Sequence, residues 1–183
     1  MKKTKVVEKK SIIVFGGDGY IGWPLSLQLA SDCPDFEILI VDNFLRRKIV
    51  ESIGASPLIE IDEPLKRILN CQKILGFNNL SFIERDISSQ DINDLFEHRE
   101  VVAVYNLAQQ ASVPFSMMSL DNAILTAKNN ELANLRVLFA MKDNCPKAPL
   151  VKLGSFGEYC KTNLDIPEGF FKPSFNKKTA NKF

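Results

Sequence analysis

A short apolar run that leads into three regularly spaced glycines constrains the fold of this 183-residue chain more than any other feature. Residues 11–15, Ser-Ile-Ile-Val-Phe, have the length and composition of a buried parallel strand. Gly16, Gly19 and Gly22 follow, and a helical pattern covers residues 20–30. A strand, a glycine loop and a helix in this order present bare backbone and a helix amino terminus to a pyrophosphate. Such glycines can also mark only a structural turn, but the strand–loop–helix context favours dinucleotide binding.

A carboxylate after the second apolar run indicates which dinucleotide to expect. Residues 37–41 form this run, and Asp42 ends it 20 residues after Gly22. A carboxylate there accepts hydrogen bonds from the adenosine ribose and repels a 2′-phosphate, so NAD is expected rather than NADP. Arg46 and Arg47 leave a phosphate-binding alternative open, because guanidinium groups bind phosphates. In these two segments the predicted cofactor residues are Gly16, Gly19, Tyr20, Ile21, Gly22, Asp42, Asn43 and Arg46.

The rest of the chain alternates strand and helix patterns as far as residue 153. Further strands are predicted at residues 80–84, 101–105 and 149–153, and helices at 46–53, 64–75, 88–96 and 120–142. Ser88 is the expected cap of the 88–96 helix. The alternation predicts an α/β, Rossmann-type doubly wound parallel sheet that is truncated after its fifth strand. We expect a flexible basic segment at 1–10, an NAD-binding domain at 11–160 and an irregular tail at 161–183, where Pro, Lys, Asn and Ser dominate.

Charge and composition argue against several classes of partner. Lys plus Arg number 23 and Asp plus Glu number 22, so a net charge of +1 provides no field that attracts nucleic acid or an anionic membrane. No apolar run approaches the roughly 18 residues of a membrane span. The four cysteines and the single histidine lack metal-ligand spacing, so reduced thiols and no metal are expected. These features predict a cytoplasmic protein with no nucleic-acid or membrane partner.

The glycine spacing resembles that of the extended short-chain dehydrogenase/reductase superfamily, which includes the NAD-dependent nucleotide-sugar epimerases and dehydratases. Four more segments are similar to its motifs in order: Asp86-Ile87, Asn106-Leu107-Ala108, Asn130, and Ser155 within Leu153-Gly-Ser-Phe-Gly-Glu-Tyr159. The resemblance implies that Asp86 and Ile87 contact adenine and that Leu107, Ala108 and Asn130 support the cofactor. It also implies that Ser155 is a catalytic residue beside the nicotinamide. The alternative for Ser155 is a cap on the turn after the fifth strand.

Within that superfamily, several strings resemble the UDP-sulfoquinovose synthases: residues 16–23, 41–47, 114–117, 151–159 and 165–169. This resemblance implies C4 oxidation of UDP-glucose by NAD, elimination across C5–C6, addition of a sulfur nucleophile, and reduction. Gln109-Gln110-Ala111 departs from the Glu-Gln-Arg that these synthases tend to have there, and Gln109 and Gln110 are the predicted substrate contacts.

A second departure concerns the superfamily's Tyr-x-x-x-Lys pair, in which the tyrosine acts as the base. The chain has three tyrosines, Tyr20, Tyr105 and Tyr159, and the residues four further on are Pro24, Gln109 and Asn163. The chain therefore resembles the amino-terminal part of such an enzyme. We expect this part to bind NAD but not to complete the catalytic cycle. A UDP-sugar would bind once a carboxy-terminal part completes it, and a homodimer is a further expectation. Two alternatives stay open: a non-catalytic NAD-binding module or pseudo-enzyme, and another NAD-dependent nucleotide-sugar epimerase or dehydratase.

Overall fold

Five apolar segments form one parallel sheet in the computed structural model, which describes residues 9–155, 169, 174–175 and 178–179. The strands are β1 (Lys9–Phe15), β2 (Glu37–Asp42), β3 (Leu80–Glu84), β4 (Arg99–Asn106) and β5 (Leu150–Lys152). Their order is β3-β2-β1-β4-β5, and every neighbouring pair is parallel. The strand order therefore reverses between β1 and β4, and ligands of such sheets bind at the carboxyl ends beside this point. The predicted Rossmann-type sheet is confirmed.

Helices connect the strands. They are α1 (Gly22–Asp32), α2 (Leu45–Ser52), α3 (Pro64–Leu75), α4 (Val113–Ser116) and α5 (Leu120–Asn144), with a 3₁₀ turn at Asn93–Leu95. None of the helices formed by the described residues is long and apolar enough to span a membrane. Residues 1–152 form one compact unit that contains the sheet, and residues 153–183 form another. In the second unit, β6 (Ser174–Phe175) pairs with β7 (Lys178–Thr179) in antiparallel fashion.

Each face of the sheet carries its own core, because side chains alternate along a strand. On one face Ile13 and Phe15 of β1 pack in a cluster that includes Val137 of α5. On the other face Ile12 and Val14 share a cluster with Ala30 of α1. All six side chains are at most 5% exposed. These continuous apolar runs mark a sheet that is covered on both sides.

The helix predicted at 88–96 is wrong. The hydroxyl groups of Ser88 and Ser89 each donate to the Asp86 carboxylate over 2.7 Å, and no α-helix forms before the 3₁₀ turn at Asn93–Leu95. Serine and aspartate side chains that bond nearby groups compete in this way with helix formation. Helix α4 was not predicted, and its four residues are too few to show a helical period. Ser112 caps it, since the Ser112 Oγ accepts a hydrogen bond from the Phe115 amide at 3.3 Å.

One carboxylate joins all four neighbouring strands from β3 to β4 near their amino ends. Glu37 of β2 accepts hydrogen bonds from the hydroxyl of Ser11 (3.1 Å) on β1 and from that of Ser81 (2.8 Å) on β3. It also accepts one from the guanidinium of Arg99 (2.9 Å) on β4. Burial by itself would raise the pKa of Glu37, but the bonds from Arg99, Ser81 and Ser11 outweigh it and lower the pKa below its ordinary value of 4.5.

We expect the Glu37→Gln variant to lose stability at neutral pH. A hydrogen bond to a charged group contributes about 1.5–3 kcal/mol, so the free energy of unfolding should fall by about that amount. Because the folded-state pKa is lowered, this contribution is complete above about pH 4.5 and disappears as the pH falls through the folded-state value. Urea unfolding at pH 7 and at successively lower pH measures the gap between variant and wild type. A gap that stays constant or widens on acidification would contradict the role of the Glu37 charge.

Candidate cofactor site

The glycine loop closes tightly against the carboxyl end of β2. The amide groups of Gly16 and Gly17 both donate to the Val41 carbonyl, at 2.8 and 3.3 Å, and the Gly19 amide donates to the Gly16 carbonyl at 3.2 Å. Gly16 has φ +75°, a conformation that side chains rarely adopt. A Cβ there would also lie 2.6 Å from the Leu107 carbonyl carbon. The loop therefore requires glycine at its first position to turn beside β4.

The other two motif glycines differ in what surrounds them. A Cβ on Gly22 would overlap the Gly16 carbonyl oxygen and lie 2.6 Å from the Gly17 Cα. A Cβ on Gly19 would meet only the Gly16 oxygen, at 3.2 Å, within 4 Å. Gly22 thus allows helix α1 to contact the loop, whereas Gly19 has open space beside it. A ligand could approach the protein backbone closely at Gly19.

Helix α1 begins at this loop without a side-chain cap. Ile21 precedes its first residue and makes no capping hydrogen bond, and the first turn contains no acidic residue. The Trp23 amide is satisfied by the Gly19 carbonyl at 3.1 Å. The predicted residues Tyr20 and Ile21 are 94% and 51% exposed. The amino end of α1 therefore lacks a side-chain cap, and its positive dipole end lies beside the exposed Tyr20 and Ile21, a position that suits a phosphate.

Asp42 stands at the end of β2, as predicted, and also holds the loop. Its Oδ2 accepts a hydrogen bond from the Asp18 amide at 3.0 Å, and its Oδ1 accepts one from the Phe44 amide at 2.8 Å. Burial raises the pKa of Asp42 more than these two bonds lower it. Each carboxylate oxygen retains acceptor capacity for a further donor. The carboxylate can therefore hold the loop and accept ribose hydroxyl groups together.

A cavity of about 340 Å³ lies between the β2 and β3 ends and helix α5. The predicted site residues Asn43 and Asp86 line it. Ser88, Lys128 and Asn129 also line it, and the sequence analysis did not predict these three as site residues. Burial by itself would raise the pKa of Asp86, but the hydrogen bonds from Ser89 and Ser88 lower it. The cavity thus combines polar side chains with the apolar Leu45, Ile124 and Leu125, and its volume lies at the lower end of the range of ligand pockets.

Ile87 does not share this cavity. Its side chain is 5% exposed and belongs to the core cluster that contains Phe15 and Val137. Any contact of Ile87 with a cofactor would therefore use its backbone. Burial explains why an apolar residue follows the acidic one in Asp86-Ile87. The Ile87 side chain anchors the loop in the core, and Asp86 stays partly exposed.

The segment after β4 supports the loop from the other side. The Leu107 amide donates to the Phe15 carbonyl at 2.9 Å, and Leu107 and Ala108 lie against Gly16. Asn130 of α5 exchanges two hydrogen bonds with the Gln110 backbone, at 2.9 and 3.0 Å. Asn130 therefore holds the segment after β4 in place, and its predicted role toward the cofactor stays a prediction.

The two predicted substrate glutamines have different surroundings. Gln110 is 9% exposed, and its amide group donates to the Ser112 carbonyl and to the Thr126 hydroxyl, each at 3.0 Å. Its side-chain oxygen accepts a bond from the Ser112 amide. The side chain of Gln110 is thus used within the protein. Gln109 is half-buried and is the more exposed glutamine of the pair.

The remaining predicted residues are Arg46 and Ser155. Arg46 is exposed on α2. Ser155 is exposed and lies three residues past the end of β5, in the unit of residues 153–183. Residues 156–159 and 165–168 of the synthase-like strings lie outside the described residues.

Sequence reasoning missed Asp18 as a member of the site. Its carboxylate is 6% exposed and forms ion pairs with Arg47 and Arg67. The tandem arginines at 46 and 47 were the available signal. However, Asp18, the partner of Arg47, lies 29 residues earlier, and no local sequence pattern marks it.

The sheet order, the glycine loop at the reversal point and the carboxylate that ends β2 define a Rossmann-type dinucleotide-binding domain. Residues 12–176 match the NAD dependent epimerase/dehydratase family. The chain belongs to this family, and NAD is its cofactor.

Two curated relatives are UDP-sulfoquinovose synthases. The Sulfolobus acidocaldarius protein is 34% identical over 161 residues, which cover 87% of this chain and 40% of the relative. The chloroplastic protein of Spinacia oleracea is 34% identical over 172 residues, which cover 93% of this chain and 35% of the relative. The resemblance predicted from the motifs is confirmed, and the chain spans less than half the length of these relatives.

Solved structures of the same fold include two sugar-nucleotide enzymes. One is dTDP-glucose 4,6-dehydratase from Bacillus anthracis in complex with NAD, with a TM-score of 0.56 and 19% identity over 92% of this chain and 46% of that one. The other is ADP-L-glycero-D-manno-heptose-6-epimerase from Helicobacter pylori, with a TM-score of 0.55 and 20% identity over 91% and 46%. At these identities the likeness establishes the fold.

Proposed function

We propose that residues 9–152 bind NAD along the carboxyl edge of the sheet. The pyrophosphate lies over Gly19 and the amino end of α1, and the adenosine ribose bonds to Asp42. The adenine enters the cavity lined by Asn43 and Asp86. The observation that carries this proposal is that α1 begins without a side-chain cap beside Gly19, where an added Cβ would meet a single atom, the Gly16 oxygen at 3.2 Å.

We propose further that the complete protein is a nucleotide-sugar enzyme of the UDP-sulfoquinovose synthase type. The support is 34% identity to two such synthases, over 87% and 93% of this chain. When bound, NAD would accept the hydride from the sugar C4 and would return a hydride in the final reduction. Between these steps water is eliminated across C5–C6, and a sulfur nucleophile adds at C6. The two hydride transfers cancel, so the cofactor is regenerated.

Two residues of this chain are proposed to contact the sugar. Ser155 hydrogen-bonds the C4 oxygen during oxidation, as its resemblance to the superfamily's catalytic Ser/Thr suggests. Gln109 contacts the substrate beyond the sheet edge, since its neighbour Gln110 is already bonded internally. The tyrosine–lysine pair that acts as the base is not among the residues of this chain.

The test uses the protein in its full natural length, with UDP-glucose, NAD and sulfite. We expect a UDP-linked sulfonated hexose, identified by mass spectrometry. A 4-epimer or a 4-keto sugar as final product would instead assign the protein to another epimerase or dehydratase. In the same assay Ser155→Ala should lower kcat by about 100-fold, a typical loss for one donor to a reacting oxygen, with NAD affinity unchanged. An unchanged kcat would assign Ser155 to the turn after β5.

A further inference from the structure

Two arginines from the segment between β2 and β3 converge on one carboxylate of the glycine loop. Arg47 binds Asp18 through two contacts, Nε to Oδ2 at 2.6 Å and Nη2 to Oδ1 at 2.8 Å. Arg67 donates from Nη1 to the same Oδ1 at 2.8 Å. The side chains of Asp18, Arg47 and Arg67 are 6%, 22% and 18% exposed. We name these three residues the Asp18 cluster.

The Asp18 cluster adjoins the carboxylate proposed to bind the ribose. The Asp18 amide donates to Asp42 Oδ2 at 3.0 Å, so the two acidic residues are in direct contact. Asp18, and to a smaller extent Asp42, raise the pKa of Arg47. The two carboxylates and the two guanidinium groups carry a total charge of zero. A phosphate arriving here would meet no net positive charge.

Further contacts fix both guanidinium groups in place. Arg47 donates from Nη1 to the Ile61 carbonyl at 3.2 Å and from Nη2 to the Asp62 carbonyl at 3.1 Å. Arg67 stacks on the indole ring of Trp23, 3.6 Å from its centroid. Arginine binds phosphate by presenting two N–H groups in parallel, and Asp18 already occupies those of Arg47. Arg47 is therefore not free to receive a 2′-phosphate, and Arg67 is held by its bond to Asp18 and its contact with Trp23.

We infer that Asp18 is a specificity-determining residue: beside Asp42 it binds two arginines, Arg47 and Arg67, and so prevents them from accepting the 2′-phosphate of NADP. The inference rests on the proposed placement of the adenosine ribose at Asp42. Selection against NADP then has two parts, repulsion by Asp42 and withdrawal of Arg47 and Arg67. Without Asp18 the same arginines would form a phosphate site.

The test is Asp18→Asn, which keeps the side-chain size and the backbone bond to Asp42 but removes one negative charge. Calorimetric titration with NAD and NADP should give a ratio Kd(NADP)/Kd(NAD) about tenfold or more below that of the wild type, through tighter NADP binding. Adding Arg47→Gln to this variant should restore much of the discrimination. Glu63→Gln is the matched control, because Glu63 is a second carboxylate beside Arg47, at 3.5 Å. The Glu63 side chain is 74% exposed, so its removal changes a charge at the surface. Its ratio should stay at the wild-type value.

A folding defect in Asp18→Asn would not end the test. The double variant Asp18→Asn/Arg67→Gln removes one charge of each sign, and its freed Arg47 should lower the ratio in the same way. An unchanged ratio in a variant that melts cooperatively would overturn the inference. Equally tighter binding of NAD and NADP would also overturn it, because it would place the arginines at the pyrophosphate. Failure of the folded wild type to bind NAD would refute the proposed function itself, which is a separate result.

Discussion

The Gly19→Val variant should lose about 100-fold or more in NAD affinity and still unfold cooperatively. The side chain would project into the space proposed for the pyrophosphate, where a Cβ meets only the Gly16 oxygen at 3.2 Å. Calorimetric titration measures the affinity, and thermal unfolding without cofactor measures the stability. NAD binding as tight as that of the wild type would move the pyrophosphate away from Gly19.

Gly22→Ala and Gly19→Ala form the matched pair for this prediction, because the same methyl group is added three residues apart. At Gly22 it would overlap the Gly16 carbonyl and approach the Gly17 Cα to 2.6 Å, so the helix and the loop must separate. Overpacking of this kind costs about 1–3 kcal/mol, or roughly 2–12 °C in Tm for a chain of this size. We expect Gly19→Ala to melt like the wild type. Equal destabilisation of the two variants would contradict the different roles assigned to these glycines.

Self-association of the 183-residue chain is the second large effect that we expect. The outer face of α5 consists of Leu132, Leu135, Leu138 and Phe139, which are 42%, 49%, 43% and 62% exposed. The helix is anchored instead by smaller buried residues, Ala133, Val137 and Ala140. Each large apolar side chain left in water forgoes up to about 1.5–3 kcal/mol, against a total stability of about 5–15 kcal/mol. A patch of this kind favours contact between copies of the chain.

Light scattering over a concentration series, together with thermal unfolding, measures this effect. The chain should associate and melt below about 60 °C, and the double variant Leu135→Lys/Phe139→Lys should scatter less with little change in Tm. Val137→Ala, at a buried position of the same helix, should instead lose about 1–3 kcal/mol without reducing association. A monomeric wild type that melts cooperatively above about 60 °C would contradict the prediction and favour a self-sufficient NAD-binding module.

Local patterns were sufficient for most of the sheet. The strand residues 37–41 and 80–84 are continuous apolar or mixed runs between helical segments, and the structure forms strands there as β2 and β3. Helix α3 begins and ends where predicted, because Pro64 suits a first turn and Gly76, at φ +73°, ends the helix. The exception is residues 88–96, where the side-chain bonds to Asp86 replace the expected helix.

The site was only partly predictable, because its remaining contacts join distant parts of the chain. The motif glycines and Asp42 follow directly from the strand–loop–helix pattern. The pairing of Asp18 with Arg67 spans 49 residues, and no periodicity or spacing connects the two. The different surroundings of Gln109 and Gln110 likewise depend on Thr126 of α5, whose hydroxyl accepts a hydrogen bond from the Gln110 side chain. Long-range contacts of this kind follow from the packing of the folded chain.

Calorimetric titration of the folded wild type and of Asp42→Ala with NAD and NADP tests the central claim most directly. The wild type should bind NAD at least about tenfold more tightly than NADP, because the Asp42 carboxylate accepts ribose hydroxyl groups and repels a 2′-phosphate. Asp42→Ala should bind NAD more weakly and bring the two dissociation constants close together. Equal affinity of the wild type for both cofactors, or no NAD binding by a chain that unfolds cooperatively, would contradict the proposed site.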